Sequence, residues 1–250
     1  MGYRVEDFKP DRRGPLSILA YGEPGSGKTH LASTFPDVVF LDFDRGMKSV
    51  DSKVQRVRIE GEGSVFDTLL QVMRDAILNQ GEFAAGKSLA NCKSIAIDGL
   101  SALVDDFLMP ELLSKAPADR RTEGPKFDEF TKLKFRLNQL GSLVKDVSLT
   151  RNVILTATAT TDTDEDTKIT KGGPNIQGGF RHAVGAICDE MYYLESKVIN
   201  EEPKFYLYAA PFMFYRAKTR NLAKTKFENP NYAMLRANLK PEAAAPVQPK

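Results

Sequence analysis

Eight consecutive residues carry the clearest chemistry in this chain. Gly22, Glu23, Pro24, Gly25, Ser26, Gly27, Lys28 and Thr29 fit the pattern G-x-x-x-x-G-K-[ST] without a mismatch. Glycines at these places let backbone N–H groups fold around phosphate oxygens. The lysine neutralises charge on the β- and γ-phosphates, and the hydroxyl after it ligates Mg²⁺. The context is also right: an apolar run, residues 16–21, precedes the loop, and a helical stretch, residues 28–35, follows it and stops before Pro36. That helix aims its positive end at the phosphates. Residues 22–29 therefore predict a site for a nucleoside triphosphate with Mg²⁺. His30, next on the helix, is placed either to approach the nucleotide or to sit on the surface.

Carboxylates supply the second half of such a site. Asp98 closes the apolar stretch SIAI, where it can hold Mg²⁺ through water or else cap the next helix. Asp42 and Asp44 close VVFLD, read as the strand beside the P-loop strand. One of the two could polarise an attacking water; spacing alone does not choose between them.

Apolar strands alternate with amphipathic helices around these residues. Strands are expected at 16–21, 38–42, 94–97 and 153–157, and later ones at 187–194 and 205–209, with a turn near 200–203 and an extension of the last pair at 213–216. Ser64 caps a helix that presents Phe66, Leu69, Leu70, Met73 and Ile77, with Asp67 three residues after the cap. A second helix over 127–144 presents Phe127, Phe130, Leu133, Leu137, Leu140 and Val144. Such alternation predicts an α/β fold: a mostly parallel central sheet flanked by helices, with antiparallel strands at the C-terminal edge. Residues 108–126 and 160–179 read as irregular. Residues 1–14 read as an N-terminal arm, 15–236 as one domain and 237–250 as a flexible tail.

Composition narrows the class. The 250 residues are 42% hydrophobic and 27% charged, the balance of a globular protein with room for a sizeable core. With 35 basic and 33 acidic residues the formal charge is +2, which neither demands nor excludes nucleic acid. Cys92 and Cys188 have no partner at metal spacing, so a disulfide scaffold and a cysteine-based zinc site are excluded. No stretch reads as a membrane span or a signal peptide, so a soluble, cytoplasmic protein is expected.

The order of these motifs resembles the RecA-like recombinase ATPases, and more narrowly the compact phage ATPases of the Sak type, which consist of the RecA core and promote single-strand annealing. The similarity runs from about residue 16 to residue 220. It implies an ATPase with ATP and Mg²⁺ as ligands, and gives several residues a role. Asp44, in FLDFDRG, matches the acidic residue that activates water, usually Glu in the family. Asp98, in IAIDGLSAL, matches the metal-binding aspartate. Thr158 or Thr160, in VILTATAT, stands where the family senses the γ-phosphate, often with Gln or His. The stretch 162–182 is similar to the mobile DNA-binding loop. In it Lys168, Lys171 and Arg181 would meet phosphates, and Asn175 and Gln177 would bond sugar or base edges. A solvated hairpin or lid is the other reading of that stretch. Lys218 and Arg220, in FYRAKTRN, match a basic pair that reaches into the neighbouring subunit's nucleotide. The implied partners are single-stranded DNA, further copies of the chain in a filament or ring, and a single-strand-binding protein. A phage origin would place the protein in the host cytoplasm.

Other residues have two readings. Lys115, Arg120, Arg121, Lys126, Lys132, Lys134 and Arg136, with Arg12 and Arg13 of the arm, could track a DNA backbone or form a solvated face. Tyr21 and Tyr215 could flank an adenine. Phe35, Phe40, Phe66 and Phe130 read as core; Phe180 reads as core or as a base-stacking ring. His182 has no partner at metal-ligand spacing. A P-loop kinase acting on a nucleotide or small metabolite, and a nucleotide-switched interaction module without catalysis, remain open.

Overall fold

The computed structural model describes residues 13–50, 54–57, 59, 63–78, 82–83, 87–177 and 180–241. The N-terminal arm up to Arg12 and the tail beyond Pro241 lie outside them. The chain begins with β1 (Ser17–Gly22), buried along its whole length, and α1 (Lys28–Ser33). Then come β2 (Val38–Asp42) and β3 (Gln55–Val57). Next is α2 (Val65–Ile77), capped by Ser64, whose hydroxyl accepts from the Asp67 N–H at 3.1 Å. A small hairpin, β4 (Glu82–Phe83) and β5 (Lys87–Ser88), leads to β6 (Ser94–Asp98). A continuous helical stretch follows: α3 (Leu100–Ala102), a π-helical turn over Leu103–Leu108, and α4 (Met109–Ser114). After α5 (Ala118–Glu123) and the long α6 (Phe127–Ser148) come β7 (Asn152–Thr163) and β8 (Thr170–Pro174). The chain closes with α7 (Phe180–Ala183), β9 (Glu190–Ile199), β10 (Glu202–Tyr208), β11 (Lys226–Glu228) and α8 (Tyr232–Ala237).

The strand order is β11-β10-β9-β1-β7-β6-β2-β3. From β9 to β3 every pair is parallel, while β10 and β11 add antiparallel strands at one edge. This is the expected α/β architecture. Side chains alternate between two cores, as strand geometry requires. Leu19 and Tyr21 face the larger one, under α2, α4 and α6; Ile18 and Ala20 face the smaller one, with Leu31, Phe35, Phe40 and Phe227.

Several expectations are corrected. β2 is not the neighbour of β1: β7 and β6 lie between them, so Asp42 is level with Asp98 and not with the P-loop. Residues 108–126 are largely helical, because Leu108, Met109 and Leu112 bury themselves, and Pro110 falls just after the π-helical turn, where the regular bonding pattern is already interrupted. Residues 160–174 form a hairpin: β7 runs on to Thr163 and returns as β8, and the turn is held by the Asp164 carboxylate, which accepts from the N–H groups of Asp166 and Thr167. Its run of threonines favours extended backbone. β9 starts at Glu190, three residues later than expected, and residues 213–216 form a tight turn closed by a Phe212–Tyr215 bridge. Phe127 is 87% exposed, since it opens α6 ahead of the stretch that packs on α2 and α4; Ile77, at the end of α2, is also exposed. At the C-terminus, pairing continues past α8: Lys240 N–H donates to Asn221 O at 2.7 Å and Ala223 N–H to Asn238 O at 2.8 Å.

One backbone turn ties the fold to the site. Gly99 has φ +89°, and a Cβ there would lie 2.7 Å from the Asp44 Cβ and 2.8 Å from its N. Gly99→Ala should therefore cost about 2 kcal/mol or more, from left-handed strain plus the clash. Urea unfolding at equilibrium measures this directly.

Candidate nucleotide-binding site

The candidate residues gather at the carboxyl ends of the parallel strands, where open α/β sheets bind ligands. Gly22 is level with Thr158 on one side and Leu194 on the other. A Cβ on Gly22 would lie 2.1 Å from the Leu194 carbonyl oxygen, so only glycine lets β9 approach here. Glu23, Pro24 and Gly25 form the exposed crown of the loop, while Ser26 and Lys28 are buried. Gly25 and Gly27 turn the loop at φ +78° and +88°.

The Lys28 ammonium lies inside the loop. Its Nζ donates to the carbonyls of Gly22 at 2.9 Å and Glu23 at 2.8 Å. Burial lowers its pKa below the usual lysine value, and the carboxylates of Asp44, Asp98 and Glu23 partly restore it. A buried cation held by neutral carbonyls is under-compensated, and a polyphosphate would supply the missing charge.

Asp98 is 1% exposed. The Thr29 hydroxyl donates to its Oδ2 at 2.9 Å and the Thr156 hydroxyl to its Oδ1 at 2.5 Å. Thr156 Oγ1 in turn accepts from the Gly99 N–H at 2.8 Å. Burial raises the Asp98 pKa above the ordinary carboxylate range; the two threonine hydrogen bonds oppose this, and Asp44 and Asp42 add to it. The main-chain oxygen of Asp98 accepts from the Phe43 N–H at 2.9 Å, which brings the end of β2 across.

The two carboxylates after β2 now separate. Asp42 turns into an ion pair with Arg56 at 3.3 Å. Asp44 is exposed, and a Cβ on Gly46 would lie 3.8 Å from its Oδ2 and 4.0 Å from Thr29 Oγ1. Asp44 and Thr29 thus border one gap. A hydroxyl with carboxylates around it is a hard oxygen set, and Thr29 with Asp98 fits Mg²⁺.

Thr158 is placed otherwise than expected of a phosphate sensor. Its N–H and hydroxyl donate to Ser101 Oγ at 3.1 and 3.0 Å, tying β7 to α3. Thr160 pairs across the hairpin with Gly173. The β7 threonine that touches the buried aspartate is Thr156, not one of the expected pair. Its signal was the alternation in VILTATAT: Leu155 is level with Ile97, so Thr156 falls beside Asp98 once the register is known.

The DNA candidates divide into two groups. Lys171 lines a cavity of about 400 Å³ together with Asp162, Asp164, Ile169, Arg216 and Lys218. Lys168, at φ +57°, sits in the hairpin turn. Asn175 is exposed, and only its backbone bonds inward: its N–H donates to Thr158 O at 2.7 Å and its carbonyl accepts from Ser101. Gln177 hydrogen-bonds to Asp105. The side chains of Arg181 and His182 lie outside the described residues.

Lys218 and Arg220 are held away from their own P-loop. Lys218 pairs with Met191, which is level with Leu19, three residues before Gly22. Its Nζ donates to Cys188 O at 2.8 Å, and burial lowers its pKa. The Arg220 guanidinium pairs with Asp189 at 2.7 Å. A fully buried carboxylate, Glu190, accepts from the N–H groups of Arg220 at 3.1 Å and Asn221 at 2.9 Å and holds this segment in place. No sequence pattern singled out Glu190.

Other candidates find structural roles. Tyr21 is buried, its hydroxyl donating to Arg216 O, and Tyr215 stacks on Tyr193 at 3.8 Å; both belong to an aromatic cluster and cannot flank a base. Phe180 is core. Lys115 and Arg136 pair with Glu111, Lys126 with Glu123 and Lys132 with Asp128. Arg121 donates to Ala116 O, while the Arg120 side chain and Arg12 lie outside the described residues. Among the described residues no helix is long and apolar enough to cross a membrane.

A glycine loop closed on a buried lysine, followed by a threonine bonded to a buried strand-end aspartate, defines a P-loop NTPase domain. The chain belongs to the AAA domain family, whose model matches residues 14–221. It is similar to a solved KaiC-like protein from the hyperthermophilic archaeon Pyrococcus horikoshii OT3, at 14% identity and a TM-score of 0.45, over 88% of this chain and 93% of that one. It is also similar to the flagellar accessory protein FlaH of Methanocaldococcus jannaschii, at 13% identity and a TM-score of 0.39, over 78% of each chain. No curated protein matches the sequence.

Thr156→Val keeps the shape and removes the hydroxyl that links Asp98 to Gly99. It should cost about 1–3 kcal/mol, the penalty for leaving buried polar groups unpaired, and should weaken Mg²⁺-dependent nucleotide binding. Urea unfolding and calorimetric titration with and without Mg²⁺ read the two effects separately.

Proposed function

We propose that this chain is a Mg-ATP hydrolase that assembles with further copies of itself on single-stranded DNA, in the manner of the compact phage annealing ATPases its motif order resembles. One observation supports this above the rest: Lys218 and Arg220 are built into a rigid segment, yet away from their own P-loop. Cations so placed can serve a nucleotide held by an adjacent copy.

In this reading the loop amides from Gly22 to Thr29 and the Lys28 ammonium hold the phosphates. Thr29 and Asp98 would hold Mg²⁺, which when bound screens charge between the β- and γ-phosphates. Asp44 orients a water and accepts its proton. Lys218 and Arg220 of the neighbour stabilise charge on the transferring phosphoryl group, as an arginine finger does. ATP then ties subunits together, and hydrolysis loosens them. Lys171 and Arg216, beside Lys218, offer positive charge to a DNA backbone. A single-strand-binding protein is a fitting partner.

A kinase reading has one observation in its favour. A cleft of about 440 Å³ at the end of β2 is lined by Leu41, Asp42, Phe43, Arg45, Arg56 and Phe107. The buried Asp42 Oδ1 there has no hydrogen-bond partner. An acceptor molecule could occupy it.

ATP turnover with and without single-stranded DNA separates the two. The recombinase reading predicts stimulation by DNA, and a loss of about 10³-fold in Arg220→Ala with nucleotide affinity retained. Unchanged turnover in Arg220→Ala removes the role across subunits, and turnover that needs an added small-molecule acceptor supports the kinase. Lys171→Ala should lower the salt slope of DNA binding by about 1; an unaltered slope moves the DNA contact elsewhere.

A further inference from the structure

The end of the phosphate loop also borders a cavity of about 210 Å³. Its walls are Gly27, His30, Phe205, Asn229 and Pro230. Gly27 belongs both to the loop and to this wall. A Cβ on Gly27 would lie 2.9 Å from the Phe205 ring, so that ring rests directly against the end of the loop.

Phe205 is out of keeping with its strand. Leu207, on the same face of β10, is fully buried in the smaller core, as is Phe227 on β11. Phe205 stays half-exposed at the rim of that core. It is nevertheless held firmly. Its carbonyl accepts from the Asn229 N–H at 2.6 Å, and its N–H donates to Asn229 Oδ1 at 3.1 Å. Asn229 adopts φ +47°, a conformation that asparagine tolerates better than most residues. Pro230 is buried, and the turn beyond it is tied to the end of α1: the Tyr232 N–H donates to Thr34 Oγ1 at 2.9 Å. The opposite wall of the cavity, His30, belongs to the same helix.

An open aromatic face, a proline and an amide, with no carboxylate among the lining residues, make a site for a flat, uncharged, hydrogen-bonding ring. We infer that this cavity is the nucleobase subsite of the bound triphosphate: the base stacks on Phe205, the Asn229 amide meets its edge, and a purine, offering the larger ring face, is taken in preference to a pyrimidine. The inference rests on the nucleotide-binding reading of the P-loop. It replaces Tyr21, which the fold buries, and Tyr215, whose ring is stacked on Tyr193.

Calorimetric titration of ATP and of inorganic tripolyphosphate, each with Mg²⁺, tests it on the full chain. Tripolyphosphate reaches the loop but carries no base. Phe205→Leu, which keeps apolar bulk, should weaken ATP binding by about five- to a hundredfold, the range of base–aromatic stacking, and leave tripolyphosphate binding unchanged. Phe205→Trp provides a second reading. The chain has no other tryptophan, so its fluorescence should respond to ATP and GTP, less to CTP, and not to tripolyphosphate. Undiminished ATP affinity in Phe205→Leu, or a tryptophan equally affected by tripolyphosphate, overturns the assignment. If the wild-type chain binds neither ligand, the P-loop reading itself fails and this inference fails with it.

Discussion

The architecture depends on keeping one carboxylate out of water. Asp98 sits almost fully buried at the end of β6, where desolvation works against its charge. Two threonine hydroxyls from different parts of the chain compensate. Thr29 comes from the start of α1 and Thr156 from the middle of β7. Hydrogen bonds to a charged group are the stronger kind, and an unpaired buried charge is among the costliest defects a fold can carry. The position of Asp98 therefore constrains both neighbours.

That constraint explains the strand order. β7 must lie between β1 and β6 for Thr156 to reach Asp98 while Thr158 stays level with Gly22. β2 is pushed outward to the far side of β6. Its carboxylate Asp44 returns to the site only by crossing over Gly99, whose missing side chain leaves the room. Asp42, left behind at the strand end, pairs with Arg56 instead. On the other flank β9 approaches Gly22 closely and, at its opposite end, anchors the Lys218–Arg220 segment through Glu190. The nucleotide loop and the basic pair thus share one strand.

Much of this was legible in the sequence because it is local. The P-loop spells its own backbone geometry, and the apolar runs that end in Asp42 and Asp98 mark buried strands. Ser64 with Asp67 marks a helix start. Contacts set by register were not legible. Nothing local distinguishes Thr156 from Thr158, two residues apart on one face. The same holds for Glu190, whose partners lie 30 residues downstream, and for Phe205, whose partner Gly27 is remote in sequence. Tyr21 misled for the converse reason: it adjoins the loop in sequence but faces the larger core. Residues 160–174 read as irregular from their polar composition, though threonine-rich backbone pairs readily as a hairpin.

A crystal structure of the chain with Mg²⁺ and a non-hydrolysable ATP analogue tests the central claim most directly. In this account Lys28 leaves the carbonyls of Gly22 and Glu23 for phosphate oxygens, while Thr29 and Asp98 turn to the metal and Thr156 keeps its hold on Asp98. A nucleotide bound elsewhere, or bound with Lys28 still turned to its own loop carbonyls, would contradict it.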